Sequence, residues 1–447
     1  MRFHARWVVP VASAPIEQGT VIVEGDRIVW VGRTTDAPHG GRDEPLGEAI
    51  VTPGLVNAHT HLDLTMLRRA MFGLGFFDWV RTVAALHRDV LSDADRLDAA
   101  LLGIAEGLAT GITCYGDTAP SVAAFDAMRV LGVRGIAYRE VFGPDPAQCG
   151  ASLALLQRIV DELRPDETPL VRIGVSPHAP YSVSDELFRA VEHWAAAEQL
   201  PVAVHIAESE AESALVARGE GPFADFLRGR GIRVAPRARS PIALLTANGL
   251  LRRDVLLIHC ARLDGAEVEA VAHSGAGIAH CPVSNAAFGH AVAPIGELVS
   301  AGAKVGMGSD SMGSNEAMDL FAEARMTARL QSGRRKSFGY FTPPAIFRIL
   351  TLGGAEALGL DLVIGSLVPG KQADLAIFEW EPSKTKVLDP CAALLSGELP
   401  MRATRVLVAG RDAVREGSVI GFDPSVRGRV DAATARVLEW RSTHTAS

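Results

Sequence analysis

The sequence predicts an α/β protein: a (β/α)8 TIM-like barrel with a small composite β-sandwich domain formed from both termini. Three observations lead there. Eight short apolar runs alternate with longer Ala/Leu-rich stretches of helical period. β-rich segments with tight turns sit at both ends of the chain. The polar residues suited to chemistry fall at the ends of the apolar runs, where a parallel barrel opens its site-bearing face. The 447 residues suit one barrel of about 250 residues plus decoration.

Taken in order, residues 20–32 (TVIVEGDRIVWVG) alternate and break at Glu24-Gly25-Asp26, which reads as a β-hairpin. The eight runs follow: 51–58, 112–116, 133–138, 171–176, 202–206, 255–259, 277–281 and 304–309. Helical stretches such as 94–109, 184–198 and 318–330 fall between or after them. A doubly wound open sheet is disfavoured because no GxGxxG follows the first run. Residues 365–378 give a Gly/Pro turn and then a strand, and 406–414 give strand, turn and strand. The expected organisation is therefore 1–50 as the N-terminal part of the β domain, 51–358 as the barrel, 359–425 as the C-terminal part of the β domain, and 426–447 as a C-terminal tail.

Composition narrows the partners. Apolar residues make up 48% and charged residues 21%, as in soluble globular chains. The net charge of −8, with no long run of one sign, argues against nucleic acid or an anionic membrane. No stretch approaches the 18 or so uncharged apolar residues of a membrane span. Pro10 and Pro15 interrupt the N-terminal apolar segment, and no secretory cleavage pattern follows. Five widely spaced cysteines (Cys114, Cys149, Cys260, Cys281 and Cys391) contain no CxxC pair, so no disulfide framework is expected. Cys260 and Cys281 read as small buried hydrophobes. The expectation is a cytoplasmic protein acting on a small molecule.

The chemistry is written at the ends of the runs. His59 and His61 end the first, His205 the fifth, His259 the sixth and Asp310 the eighth. On a strand, residues i and i+2 point the same way, so the His59-Thr60-His61 pair reaches one cation from one side. His59, His61, His205 and Asp310 make a three-nitrogen, one-oxygen ligand set for one divalent ion, with Zn²⁺ expected and Fe²⁺ or Mn²⁺ as alternatives. No Lys precedes Lys304, which excludes a pair of ions bridged by a lysine on a middle strand. Glu208, three residues after His205, is placed to move a proton of a metal-activated water. His259 is placed to orient that water, and Asp310 both to ligate and to accept a proton. The turn at Gly308 permits close approach to a ligand. His178 and Glu140 are candidate substrate contacts, His178 alternatively a satisfied loop histidine. His280 and Asn285 read as loop structure. Phe72, Phe76, Phe77 and Trp79 form either an apolar lid over the substrate ring or packing on the barrel.

These motifs resemble the amidohydrolase superfamily, in particular its cytosine/guanine/S-adenosylhomocysteine deaminase and triazine-hydrolase branch. The match covers most of the chain: TPGLVNAHTHLD, PHAPYS, VHIAESEAE, HC, HCPVSN, MGSDS and GSLVPGKQADLAIF. The resemblance implies hydrolytic deamination of a purine-like ring. Activated water attacks the carbon bearing the amine, Glu208 carries a proton to the adjacent ring nitrogen, Asp310 and His259 take the second proton, and ammonia leaves. A homodimer is compatible with the same resemblance. The short segment with FFDW, followed by REVFG, is similar to the aminodeoxyfutalosine deaminase-like group. That similarity implies an adenine nucleoside bearing a carboxylate, such as 6-aminodeoxyfutalosine, which Arg68, Arg69 or Arg139 would meet unless they are surface arginines. The competing expectation keeps the fold and changes the leaving group: a triazine, a cyclic amide or another non-purine C–N or C–Cl bond. A metal-binding scaffold without turnover is disfavoured, since Glu208 and every ligand are present.

Overall fold

A computed structural model describes residues 1–379, 389–396 and 401–444. Residues 380–388 and 397–400 of the expected C-terminal β part, and 445–447 of the expected tail, lie outside the described residues.

The N-terminal segment forms β1 (Arg2–Val8), β2 (Ile16–Glu24), β3 (Arg27–Arg33), β4 (Asp43–Pro45) and β5 (Ala49–Pro53). The eight apolar runs then supply β6 (Leu55–Thr60), β7 (Ile112–Ala119), β8 (Arg134–Val141), β9 (Val171–Pro177), β10 (Val202–Ile206), β11 (Val255–His259), β12 (Gly277–His280) and β13 (Lys304–Met307). These eight close into a barrel in chain order, β13 pairing with β6 and every pairing parallel. Strands such as VAVHI and VLLIH are buried along their whole length. Helices cover the outside and side chains fill the inside, which is why the runs show no polar alternation.

After the barrel come β14 (Leu375–Glu379), β15 (Arg405–Val408), β16 (Arg411–Arg415) and β17 (Ser418–Val419). They join β1–β5 in one nine-stranded sheet, with β14 antiparallel to β5 at the junction of the two chain ends. The first apolar run is therefore divided, β5 going to the sheet and β6 to the barrel. Gly54 lies at the division, where a Cβ would meet Thr113 Oγ1 at 2.1 Å. A buried ion pair ties the two parts together: Arg134 Nε to Asp374 Oδ2 at 2.9 Å.

Residues 426–444 form a helix. Its Val426, Val430, Ala433 and Val437 pack against Met66, Leu67, Ala70 and Leu102, and Thr434 Oγ1 donates to the Met66 carbonyl at 2.8 Å. The segment after β6, and with it the wall of the site, is thereby backed by the end of the described chain. No described helix is long and apolar enough to cross a membrane.

Candidate active site

The polar residues that end β6, β10, β11 and follow β13 converge at the C-terminal mouth of the barrel. The His59 and His61 ring centroids lie 4.8 Å apart, and those of His59 and His205 5.0 Å. Asp310 Oδ1 stands 3.4 Å from His59 Nε2 and 3.5 Å from His61 Nε2. Ligand atoms of His59, His61 and His205 fall within 4.8 Å of one another, as do those of His59, His259 and Asp310. Both ring nitrogens of His59 are buried without a hydrogen-bond partner, a costly arrangement unless a cation completes it. His205 Nδ1 faces the His178 carbonyl at 3.1 Å, and a carbonyl only accepts. Nδ1 therefore carries the proton and Nε2 is bare for a metal. The residues present fit a divalent ion.

Backbone strain positions the set. Ala207 (φ 51°), His259 (φ 76°), Cys260 (φ 47°) and Asp310 (φ 56°) are left-handed without being glycine, at about 1–3 kcal/mol each. All sit at or just past strand ends, where the chain turns sharply into the site. At Gly308 the close approach is to protein, with a built Cβ 2.9 Å from the His59 carbonyl oxygen and 2.8 Å from Cys281 Sγ. A side chain there would push the β13 turn, and Asp310 with it, away from His59.

Two buried carboxyls are shifted in opposite directions. Burial opposes the charge on Asp310. It is outweighed by the His59 imidazole and by those of His259 and His61, which together hold the carboxyl well below the usual carboxylate range. Ser284 Oγ donates to Oδ2 at 2.5 Å and the Ser311 N–H to Oδ1 at 2.7 Å. Glu208 is pushed well above its ordinary value by burial and by the charge of Asp310. Its Oε1 lies 3.5 Å from His259 Nε2.

Sequence reasoning passed over several residues here. Asn285, read as loop structure, lies on the short helix Pro282–Ala287, and its Oδ1 faces His259 Nδ1 at 3.1 Å. As an acceptor it keeps the proton on Nδ1 and leaves His259 Nε2 bare toward Glu208. Glu212 takes the backbone N–H groups of Ala207 and Glu208 at 2.9 and 2.8 Å, bracing the strained turn. His290 places Nε2 3.6 Å from Glu208 Oε1. The spacing of Glu208 and Glu212 was a visible signal of helical neighbours, whereas Asn285 and His290 carried none. His280, also read as loop structure, ends β12, buried, with both ring nitrogens unpartnered.

A cavity of about 280 Å³ opens on the set. Of the expected substrate contacts, Glu140, His178 and Trp79 line it. Glu140 Oε1 is buried, unpartnered and 4.0 Å from His178 Nε2. Burial, then the charge of Asp63, pushes the Glu140 carboxyl up to about 8. Ser182 Oγ donates to the Ala179 carbonyl and so accepts from His178 Nδ1 at 2.7 Å, which leaves His178 Nε2 as an acceptor. Arg139 is not brought in. It follows the pleat to the opposite side from Glu140 and lies beside Phe125 and Leu163, beyond the cavity wall. Arg68 pairs with Glu106, and Arg69 is exposed. Of the aromatic candidates, Phe76 and Trp79 line the cavity, Phe77 packs on Phe223 at 5.2 Å, and Phe72 is exposed.

Three histidines and an aspartate that fit a divalent ion at the mouth of a parallel barrel, with a carboxyl of raised proton affinity beside them, are an arrangement suited to a barrel hydrolase. The comparisons with known proteins are specific. The chain belongs to the amidohydrolase family, which it matches over residues 50–411. It is 30% identical over 424 residues to a 5-methylthioadenosine/S-adenosylhomocysteine deaminase of Nitratidesulfovibrio vulgaris, covering 94% of this chain and 91% of that one. The structure superposes on a zinc-bound adenosine deaminase from Xanthomonas campestris with a TM-score of 0.83 and 27% identity, over 100% of this chain and 98% of the other. It shares its fold with the zinc-complexed atrazine chlorohydrolase of Arthrobacter aurescens TC1, with a TM-score of 0.82 and 22% identity, over 98% and 99% of the two chains.

Proposed function

We propose that this protein is a zinc-dependent deaminase that hydrolyses the exocyclic amine of an adenine nucleoside. The observation that carries the reading is the buried Glu208 carboxyl, raised in pKa, beside the bare Nε2 of His259 and at the wall of an apolar cavity. Deamination needs a group that delivers a proton to a ring nitrogen and a second group that accepts one, and this pair has those complementary states.

His59, His61, His205 and Asp310 would hold the ion, which when bound lowers the pKa of coordinated water toward neutrality. Glu208, its proton affinity raised by burial, gives a proton to the ring nitrogen next to the reacting carbon and regains one from the attacking water. His259, held by Asn285, keeps Nε2 free to accept the remaining proton together with the charged Asp310. That proton then passes to the amine, which departs as ammonia. Phe76, Trp79, Phe142 and Phe288 supply the apolar walls for a planar ring. Glu140 and the acceptor Nε2 of His178 supply polar contacts.

None of the described lining residues is Lys or Arg. That favours an uncharged substituent on the nucleoside over a carboxylate, since a carboxylate without a partner is costly to desolvate. The relative named for 5-methylthioadenosine and S-adenosylhomocysteine supports the adenine class.

The test is ammonia release by zinc-loaded protein from adenosine, 5-methylthioadenosine, S-adenosylhomocysteine and 6-aminodeoxyfutalosine, alongside a chlorinated triazine. Release from an adenine nucleoside, lost by about a hundredfold or more in Glu208→Gln, is expected. Chloride from the triazine with no ammonia from any nucleoside would overturn the reading.

A further inference from the structure

His87 lines the cavity and has no role in the chemistry above. The helix Phe76–Asp89 lays a single stripe over the cavity: Phe76, Trp79, Val80, Val83, Ala84 and His87. Their spacing of three and four residues places them on one helical face. The stripe is apolar until it reaches His87.

The state of His87 follows from its neighbour. Arg96 Nε donates to His87 Nδ1 at 3.2 Å, Arg96 Nη2 donates to the His87 carbonyl at 2.5 Å, and Nη1 is held by Asp93 Oδ1 at 2.7 Å. A guanidinium has five donors and no acceptor. Nδ1 must therefore be the bare nitrogen, the ring is neutral, and the proton sits on Nε2. Burial, which lowers the imidazole pKa against the opposing charge of Asp63, favours the same neutral form. No protein group meets Nε2 among the described residues.

We propose that His87 is a specificity residue, a neutral Nε2–H donor locked in one tautomer by Arg96, which meets a hydrogen-bond acceptor on the sugar of the bound nucleoside. This rests on the nucleoside reading above. The purine must bring its amine-bearing carbon to the ligand set, so the sugar is the part left for the lid helix. Away from the ligand set and His259, the cavity's histidines thus offer one acceptor, His178 Nε2, and one donor, His87 Nε2. A substrate without an acceptor at that point leaves Nε2–H unpaired against an apolar wall.

Arg96 also satisfies the carbonyl of His87 near the end of its helix, so the test must separate capping from recognition. Adenosine, 2′-deoxyadenosine and 3′-deoxyadenosine are compared as substrates of the full zinc-loaded chain and of His87→Phe, His87→Gln and Arg96→Met. Melting temperature and zinc content are read for each. The wild type is expected to prefer adenosine over one deoxy analogue by about tenfold in kcat/KM, as for one lost hydrogen bond. His87→Phe should flatten that preference at unchanged zinc content, and His87→Gln, which keeps an N–H, should restore part of it. Histidine-labelled protein, followed by long-range proton–nitrogen correlation, should show His87 protonated on Nε2 in the wild type and a mixture of tautomers in Arg96→Met.

A preference surviving in His87→Phe, or a proton found on Nδ1 in the wild type, overturns the proposal. If the wild type deaminates none of the three, the nucleoside reading falls. Calorimetric binding of the same compounds then decides His87 separately, and equal dissociation constants in wild type and His87→Phe refute its role.

Discussion

Replacing Asn285 by leucine tests the catalytic pair without touching a ligand. The hydrogen bond from His259 Nδ1 to Asn285 Oδ1 spans 3.1 Å, between side chains 1% and 4% exposed. Removing the acceptor leaves a buried N–H unpaired and frees the ring to turn from Glu208. An unsatisfied buried donor costs about 1–3 kcal/mol. Where that energy is lost only in the transition state, kcat falls about 5- to 150-fold at tenfold per 1.36 kcal/mol. Asn285 makes no hydrogen bond to His59, His61, His205 or Asp310, so zinc content should stay at that of the wild type and KM should change little. Ammonia release under saturating substrate, with metal analysis on the same sample, reads all three. Asn285→Asp, which keeps an acceptor at Oδ1, should recover most of the rate. A kcat within twofold of wild type for Asn285→Leu, at full zinc content, would refute the assignment of His259 to the proton-accepting role.

Three further outcomes follow from the same geometry. Chelation should abolish activity and lower the melting temperature, because the ligand side chains are buried against one another, and excess zinc should restore both; activity persisting in metal-free protein would exclude the ligand set. A nucleoside with an uncharged 5′ substituent should be turned over at least about a hundredfold more efficiently than one whose 5′ tail carries a carboxylate, and equal kcat/KM values would mean that a cation reaches the cavity after all. Glu140→Gln should change stability with pH. The folded-state pKa is raised to about 8, so the contribution of Glu140 is fully present below its unfolded value and is lost as pH rises through about 8. The variant's melting temperature should therefore gain on wild type between about pH 5 and about pH 9, and parallel profiles would show that Glu140 is solvated.

Much of the fold was legible because both faces of a barrel strand are buried, so each strand appears as an unbroken apolar run. The division at Gly54 was not legible. Residues 51–58 read as one run, and nothing local says that β5 pairs with β14, more than 300 residues away. The convergence of His59, His61, His205 and Asp310 was legible by position, as polar residues at the ends of runs. Asn285, His290 and His87 were not, because each takes its role from a partner distant in sequence: His259, Glu208 and the cavity itself. The carboxylate-binding role considered for Arg139 turned on the pleat. Glu140 and Arg139 are adjacent, and only one of two neighbours on a strand can face the site. The helix over 426–444 has a readable signal in the spacing of Val426, Val430, Ala433 and Val437, three to four residues apart on one face.

Asp310 and Glu208 show why identity alone could not assign the two acids. Both are buried, 6% and 3% exposed, and desolvation acts on both in the same direction. Asp310 is met by a hydroxyl, a backbone N–H and three imidazoles, enough to keep it charged. Glu208 side-chain oxygens have no hydrogen bond among the described residues. Their nearest basic groups are His259 at 3.5 Å and His290 at 3.6 Å, so burial prevails and raises the proton affinity of the carboxyl. The charge on Asp310 then raises Glu208 further, so the residue proposed to hold the ion also sets the proton affinity of the proposed shuttle. The proposed chemistry needs one acid that stays ionised and another that exchanges a proton, and here environment rather than residue type separates the two.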